Sequence, residues 1–208
     1  SARFFKPAYS IFLINKWLPS IKGAVTKLTK GGSFADIGCG FGHSTTMIAE
    51  QFPESSIRGI DPHDQSIHEA KKIAEQKSLS NLSYEIASAE NYSGEYDIIS
   101  FFDCLHDMGD PVAAVSYAKT KLRAGGALMI IEPYADDEVS KNFNIIGQMY
   151  YSFSTIACVP ASKSQKGGMA LGAQAGLKKL TNVLNKGGFS QVEMTYKTAS
   201  NMVIEARV

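Results

Sequence analysis

The sequence predicts an α/β fold: a doubly wound, mostly parallel sheet with helices on both faces. Three observations predict it. Residues 34–42, FADIGCGFG, read as a short buried strand running into a glycine-rich turn, the opening of a nucleotide-binding βαβ unit. From Ser33 to Ile131, short apolar runs alternate with segments of helical spacing, which implies a parallel sheet. Asp61 and Glu132 stand where predicted strands end, at the edge where such sheets hold ligands.

The elements follow in order. Residues 1–32 carry Arg3, Lys6, Lys16, Lys22, Lys27 and Lys30 and no acid. Apolar residues interleave with these charges: Phe5, Tyr9, Phe12 and Leu13, then Leu18, Ile21, Val25 and Leu28, at helical spacing. Two helices are expected, the second starting at Pro19. They pack on the following domain or face a neighbour, as a linker from a preceding domain would. Strands are expected at 33–37, 56–60, 82–86, 96–100 and 127–131, and helices at 43–51 and 64–78. A further helix runs from Pro111 to Gly125-Gly126. Residues 134–169 break the rhythm with an aromatic, apolar stretch that includes Phe143, Tyr150 and Phe153. This stretch predicts a helical insertion over the binding face. A helix at 171–185 and strands at 189–194 and 201–206 complete the chain, the last two as an antiparallel hairpin.

Composition narrows the function. The chain has 208 residues, 44% apolar and 20% charged, with a formal net charge of +1. That suits one domain and gives no electrostatic footprint for nucleic acid. No apolar run reaches the ~20 residues of a membrane span. Residues 1–10 lack the parts of a signal peptide, so the cytoplasm is the default. Cys39, Cys104 and Cys158 show no metal or redox spacing, and no metal is expected. The turn reads GxGxG, with His43 where a dinucleotide site has its third glycine. Asp36, just ahead of the turn, repels phosphate and suits a cationic ligand group.

The order and spacing of several segments then point to a family. ADIGCGFG (35–42), GIDPH (59–63), IASAE (86–90), YDIISFFDCLHD (96–107) and LRAGGALMIIEP (122–133) resemble the class I S-adenosylmethionine-dependent methyltransferases. The resemblance covers residues 33–208 and implies a seven-stranded Rossmann-like sheet whose last strand is antiparallel. FDCLHDMGDP (102–111), YYSFSTIACVPAS (150–162) and LGAQAG (171–176) resemble a bacterial subfamily that usually has a winged-helix domain ahead of the methyltransferase domain.

The resemblance carries roles onto matching positions. Gly38, Cys39, Gly40 and Gly42 form the turn that carries the methionine part of S-adenosylmethionine, with Cys39 as a small turn residue. Asp36 helps place the ammonium end, or holds the loop's own N–H groups. Asp61 accepts hydrogen bonds from the ribose hydroxyls, or caps the next helix. His63 flanks the adenine or fills space. Ala89 lies in the adenine segment, and Glu90 or Ser88 meets the adenine amino edge. Phe101 and Phe102 border the methionine portion or belong to the core. LHDMGD (105–110) resembles the LHDW-type segment of small-molecule O-methyltransferases, with Met108 where tryptophan is common. His106 is the candidate general base, with Glu132 orienting its imidazole, or else a brace of its loop. Tyr150 and Tyr151 line the acceptor pocket or pack within the insertion.

The expected activity is transfer of a methyl group to a hydroxyl of a small molecule, leaving S-adenosylhomocysteine. A homodimer through the insertion's apolar surface is a further expectation. The rivals are N- or C-methylation, and a cofactor-binding regulatory or inactive module tied to a DNA-binding domain. No NPPY or DPPY segment follows strand 4, which disfavours amino-methylation of DNA.

Overall fold

The computed structural model describes residues 6–208; Arg3 and Phe5 of the basic, apolar N-terminal pattern lie outside the described residues. Seven strands form one sheet: β1 (Ser33–Ile37), β2 (Ser56–Asp61), β3 (Leu82–Ile86), β4 (Tyr96–Phe102), β5 (Leu122–Pro133), β6 (Gln191–Lys197) and β7 (Asn201–Arg207). Their order is β3-β2-β1-β4-β5-β7-β6. The first five run parallel, and β7 is antiparallel to both β5 and β6. This is the predicted topology, including the terminal hairpin. The order reverses between β1 and β4, and that crevice is where a doubly wound sheet receives its ligand.

The helices are α1 (residues 6–20), α2 (Ala24–Thr29), α3 (His43–Gln51), α4 (Asp64–Gln76), α5 (Pro111–Lys121), α6 (residues 145–163) and α7 (Gly176–Lys186). Alternation along the central strands separates two cores. Ala35, Ile37, Ile99 and Phe101 face α5 and α7. Phe34, Ile98 and Phe102 face the other way, onto α1, α2 and α3. Leu13, Trp17, Leu18 and Leu28 are fully buried in that second core. The N-terminal helices therefore pack on the domain. Burying side chains of this size contributes ~1.5–3 kcal/mol each.

Several boundaries differ from the sequence reading. Helix α1 runs through Pro19 instead of ending before it. Its stretch Tyr9–Trp17 is π-helical, and Leu18 N–H reaches back five residues to Leu13 O, a wider turn that precedes the proline ring. The break comes at Gly23, whose φ of +76° starts α2. Strand β5 begins at Leu122 rather than 127, because Leu122 already pairs with Tyr96. Helix α7 begins at Gly176 rather than 171: Gly172 and Gly176 are left-handed, at φ +71° and +76°.

The insertion is helical, as expected. Helix α6 spans Ile145–Phe153, a π-helical turn Ser154–Cys158, and Val159–Lys163. Among the described residues no helix is long and apolar enough to cross a membrane.

Candidate active site

The glycine turn joins β1 to α3 at the crevice. Gly38, Gly40 and Gly42 all have positive φ, at +74°, +53° and +69°. Side chains would also collide here. A Cβ on Gly38 would sit 2.8 Å from Cys104 Sγ, and one on Gly42 would sit 2.2 Å from the Tyr84 hydroxyl. The turn is tied to the neighbouring strand, since Gly38 N–H and Cys39 N–H both donate to Ile60 O, at 2.7 and 3.1 Å. Bare backbone thus faces the crevice.

Asp36 lies beneath this turn, fully buried. Ser44 and Thr45 donate to its Oδ2 at 2.7 Å each, and Ser100 donates to its Oδ1 at 3.1 Å. Burial raises its carboxyl to about 6, opposed by the three hydroxyls. Its oxygens serve the fold of the turn, the structural one of its two expected roles. Asp61 sits at the end of β2. Its Oδ2 accepts Gly40 N–H and its Oδ1 accepts His63 N–H, both at 2.9 Å, and its side chain borders the cavity above the turn.

That cavity measures about 300 Å³. Gly38, Gly40, Asp61, Phe102, Asp103 and Asp107 all border it, and among the described residues its lining holds no lysine or arginine. Cys39 borders it too, with its thiol pushed up by burial. Beyond Gly38 lies a second cavity of about 210 Å³, which gathers Pro62, Ser88, Ala89, Glu90 and Met108. The two meet at the glycine turn. The residues expected to hold the two ends of one long ligand thus share one crevice. His63 is placed differently: its ring caps α4, with Nδ1 accepting Ser66 N–H at 3.3 Å, and faces a separate open groove of about 530 Å³. Phe102 borders the cavity; Phe101 lies in the core on the opposite face of the sheet.

The turn Leu105–Asp107 follows β4. His106 is 3% exposed, and its Nδ1 is hydrogen-bonded to Glu132 Oε2, while its backbone N–H donates to Glu132 Oε1 at 3.2 Å. The pairing expected from the sequence is present. Burial alone would lower the imidazole's pKa; the Glu132 charge and the ring's hydrogen bonds to Cys158 and Glu132 outweigh it and hold it well above the usual value. Nε2 lies 3.2 Å from Asp107 Oδ1. The tail of the insertion covers this turn. Ser162 Oγ donates to Met108 O at 2.7 Å, Gln165 Nε2 to Asp107 O at 2.9 Å, and Gly172 N–H to His106 O at 3.3 Å.

Tyr150 and Tyr151 stand apart from the cavities at the glycine turn. Tyr150 is buried and donates its hydroxyl to Ser200 O at 2.9 Å; Tyr151 is 38% exposed. The sequence reading missed Asp103, which ends β4 at the cavity wall. Tyr9 OH donates to its Oδ2 at 3.0 Å and Asn201 Nδ2 to its Oδ1 at 3.1 Å. Its φ is +50°, unusual for a non-glycine residue. Burial and the nearby Glu132 charge raise its carboxyl to about 8. An acid directly after an apolar strand, FFDC, was the available signal.

The residues present fit S-adenosylmethionine: glycines permit close approach, and acidic side chains, whose ionised charge is opposite to a cation's, border the place a cationic centre would take. Comparison with known proteins agrees. A family model described as a methyltransferase domain matches residues 28–189. The chain belongs to this methyltransferase family. Its sheet is the class I S-adenosylmethionine-dependent methyltransferase fold.

The methyltransferase domain is 30% identical over 105 residues to trans-aconitate 2-methyltransferase of Deinococcus radiodurans, covering 50% of this chain and 39% of that protein. It is 24% identical over 127 residues to ubiquinone biosynthesis O-methyltransferase of Acinetobacter baylyi, covering 59% and 51%. The chain thus spans about half or less of these relatives. Among solved structures, PigF with S-adenosylhomocysteine superimposes with a TM-score of 0.74 at 16% identity, covering 100% of this chain and 56% of that one. Human N-acetylserotonin methyltransferase with S-adenosylmethionine gives 0.70 at 16% identity, covering 99% and 55%.

Proposed function

We propose that this domain transfers a methyl group from S-adenosylmethionine to a hydroxyl of a small molecule, with His106 as general base and Glu132 as its orienting partner. The observation that carries the reading is the buried Glu132–His106 pair on a turn whose next residues, Asp107 and Met108, border the crevice. A hydroxyl is a weak nucleophile until its proton leaves. An imidazole fixed at Nδ1 by a carboxylate takes that proton at Nε2 once it has released its own, a loss that its raised pKa opposes and rising pH favours. Bound S-adenosylmethionine supplies an activated sulfonium methyl, so the protein's remaining tasks are alignment and exclusion of water.

The chain's residues divide these tasks. Asp61 receives the ribose hydroxyls, and Ser88, Ala89 and Glu90 receive the adenine. Asp103 receives the ammonium end, giving up its proton as the cation arrives, because Asp36 is engaged beneath the turn by three hydroxyls. The insertion tail over His106 excludes water, and an acceptor reaches Nε2 when that cover shifts. The carboxylate-lined cavity, without lysine or arginine among the described residues, favours this cofactor over a phosphate-bearing one. Similarity to relatives named as O-methyltransferases supports oxygen as the acceptor atom.

The proposal extends to the subfamily with a winged-helix domain, supported by the segments at 102–111, 150–162 and 171–176. It also extends to a homodimer. Phe143, Ile145 and Ile156 are 79%, 82% and 73% exposed in and beside α6, an apolar surface that scattering at several concentrations would test.

A specific observation favours a second reading, His106 as a brace. The ring is 3% exposed and both nitrogens face protein groups. One experiment separates the two. After an acceptor screen of the full-length protein with labelled cofactor, His106→Ala and Glu132→Gln are compared for turnover and cofactor affinity. A base loses ~10²-fold or more in turnover while affinity holds. Undiminished turnover in His106→Ala makes the histidine a brace. Failure of every acceptor, with cofactor bound, favours the regulatory module.

A further inference from the structure

We propose that His106, Asp107 and Cys158 form a binding site for a single divalent transition-metal cation of zinc type. Three different donor atoms converge there. His106 Nε2, an Asp107 carboxylate oxygen and Cys158 Sγ lie within 4.8 Å of one another. His106 and Asp107 come from the turn after β4, whereas Cys158 comes from the π-helical turn of α6. The nitrogen–oxygen separation is 3.2 Å. Tetrahedral zinc with bonds of about 2.0–2.3 Å needs donor separations of about 3.3–3.8 Å, so the nitrogen and oxygen stand close to position and the sulfur lies within about an ångström of it.

Two further observations point to a cation. Asp107 Oδ1 is buried and faces His106 Nε2 at 3.2 Å with no aligned hydrogen bond, although the Asp107 side chain borders the cavity. When Nε2 carries no proton this oxygen has no donor, which is costly for a buried carboxylate, and a bound cation relieves that cost. Glu132 also holds His106 through Nδ1. A metal ion must first displace the Nε2 proton, and the carboxylate on the far nitrogen then keeps the remaining proton on Nδ1, which is the outer shell that metal-binding histidines carry. Nitrogen, sulfur and one carboxylate oxygen suit zinc or cobalt over magnesium or calcium, which require mostly oxygen. Three protein ligands leave a fourth position for water or another small ligand.

No spacing in the sequence reveals this site, because two ligands are adjacent and the third lies more than fifty residues away on another element. The metal would clasp the insertion to the loop after β4. It also takes the lone pair that the proposed base uses, so metal and acceptor proton compete for one nitrogen. The binding itself is independent of the acceptor and of the catalytic reading.

Cobalt(II) is the probe. Titrated into metal-free full-length protein, it should bind one equivalent and give a near-ultraviolet thiolate-to-cobalt charge-transfer band, displaced by zinc. Cys158→Ser should abolish the band and Cys39→Ser should keep it. Asp107→Asn should keep the band and weaken binding at least tenfold. Absence of the band in the wild type, or its survival in Cys158→Ser, overturns the site. Should Cys158→Ser not fold, Asp107→Asn decides: unchanged affinity overturns the proposal.

Discussion

Asp103→Asn tests the electrostatics of the cavity wall. The folded protein holds this carboxyl at about 8, against an ordinary 3.8, chiefly through burial. An acid with a raised folded pKa keeps its proton longer folded than unfolded. Between pH 4 and 8 the unfolded chain therefore binds fewer protons, and stability falls as pH rises. At pH 7 the gap from 3.8 spans about three units at 1.36 kcal/mol each, so the ceiling on the penalty is ~4 kcal/mol. Relaxation around the charge should leave roughly half of that ceiling. Asparagine keeps the shape and can exchange hydrogen bonds with Tyr9 and Asn201. Urea unfolding of wild type and variant at pH 4.5 and 7.5 measures the difference. The variant should gain ~1–3 kcal/mol on the wild type between the two values. An equal difference at both values would refute the neutral-acid reasoning. If Asp103 also receives the cofactor's ammonium, the same stabilised variant should bind S-adenosylmethionine more weakly by calorimetry.

Asp61→Ala should lose ~1–3 kcal/mol of cofactor affinity through the ribose hydroxyls, and calorimetry showing no change removes that role. Gly42→Ala should destabilise the domain by ~1–3 kcal/mol, because its φ is +69° and the Tyr84 hydroxyl occupies the space; an unchanged melting temperature contradicts this. Trp17→Ala removes a fully buried ring from the second core and should cost ~3–5 kcal/mol in denaturant unfolding, whereas a loss under 1 kcal/mol would mean α1 is weakly docked. Hydrogen exchange should show added protection in residues 154–172 when cofactor and acceptor bind together, and none there would count against the insertion as a cover.

Much of this architecture was legible because local patterns decide it. Strands β1 and β3 fall at the expected residues, since a buried parallel strand is a short apolar run between turn signals. The glycine turn, Asp61 and the His106–Glu132 pair were legible because each stands at a strand end, and strand ends in this topology share one edge. What stayed hidden was set by distance along the chain. Tyr9 and Asn201 meet Asp103 from 94 and 98 residues away, and no spacing rule reaches that far. The left-handed backbone of Asp103 was equally hidden, since aspartate does not advertise it as glycine does. Helix ends failed where helical spacing ran past a conformational break, as at Gly23 and Gly172. His63, read as flanking the adenine or filling space, has a ring that completes the first turn of α4.

Tyr9 belongs to α1, yet it forms part of the wall of the cavity and holds Asp103 in place. Docking of the first helix and occupancy of the crevice are therefore one coupled equilibrium. A ligand that needs this wall binds only the docked form, and it stabilises docking by RT ln(1 + [L]/Kd). Whatever draws α1 away from the sheet must weaken the ligand by the same factor, and ligand must resist that pull in return.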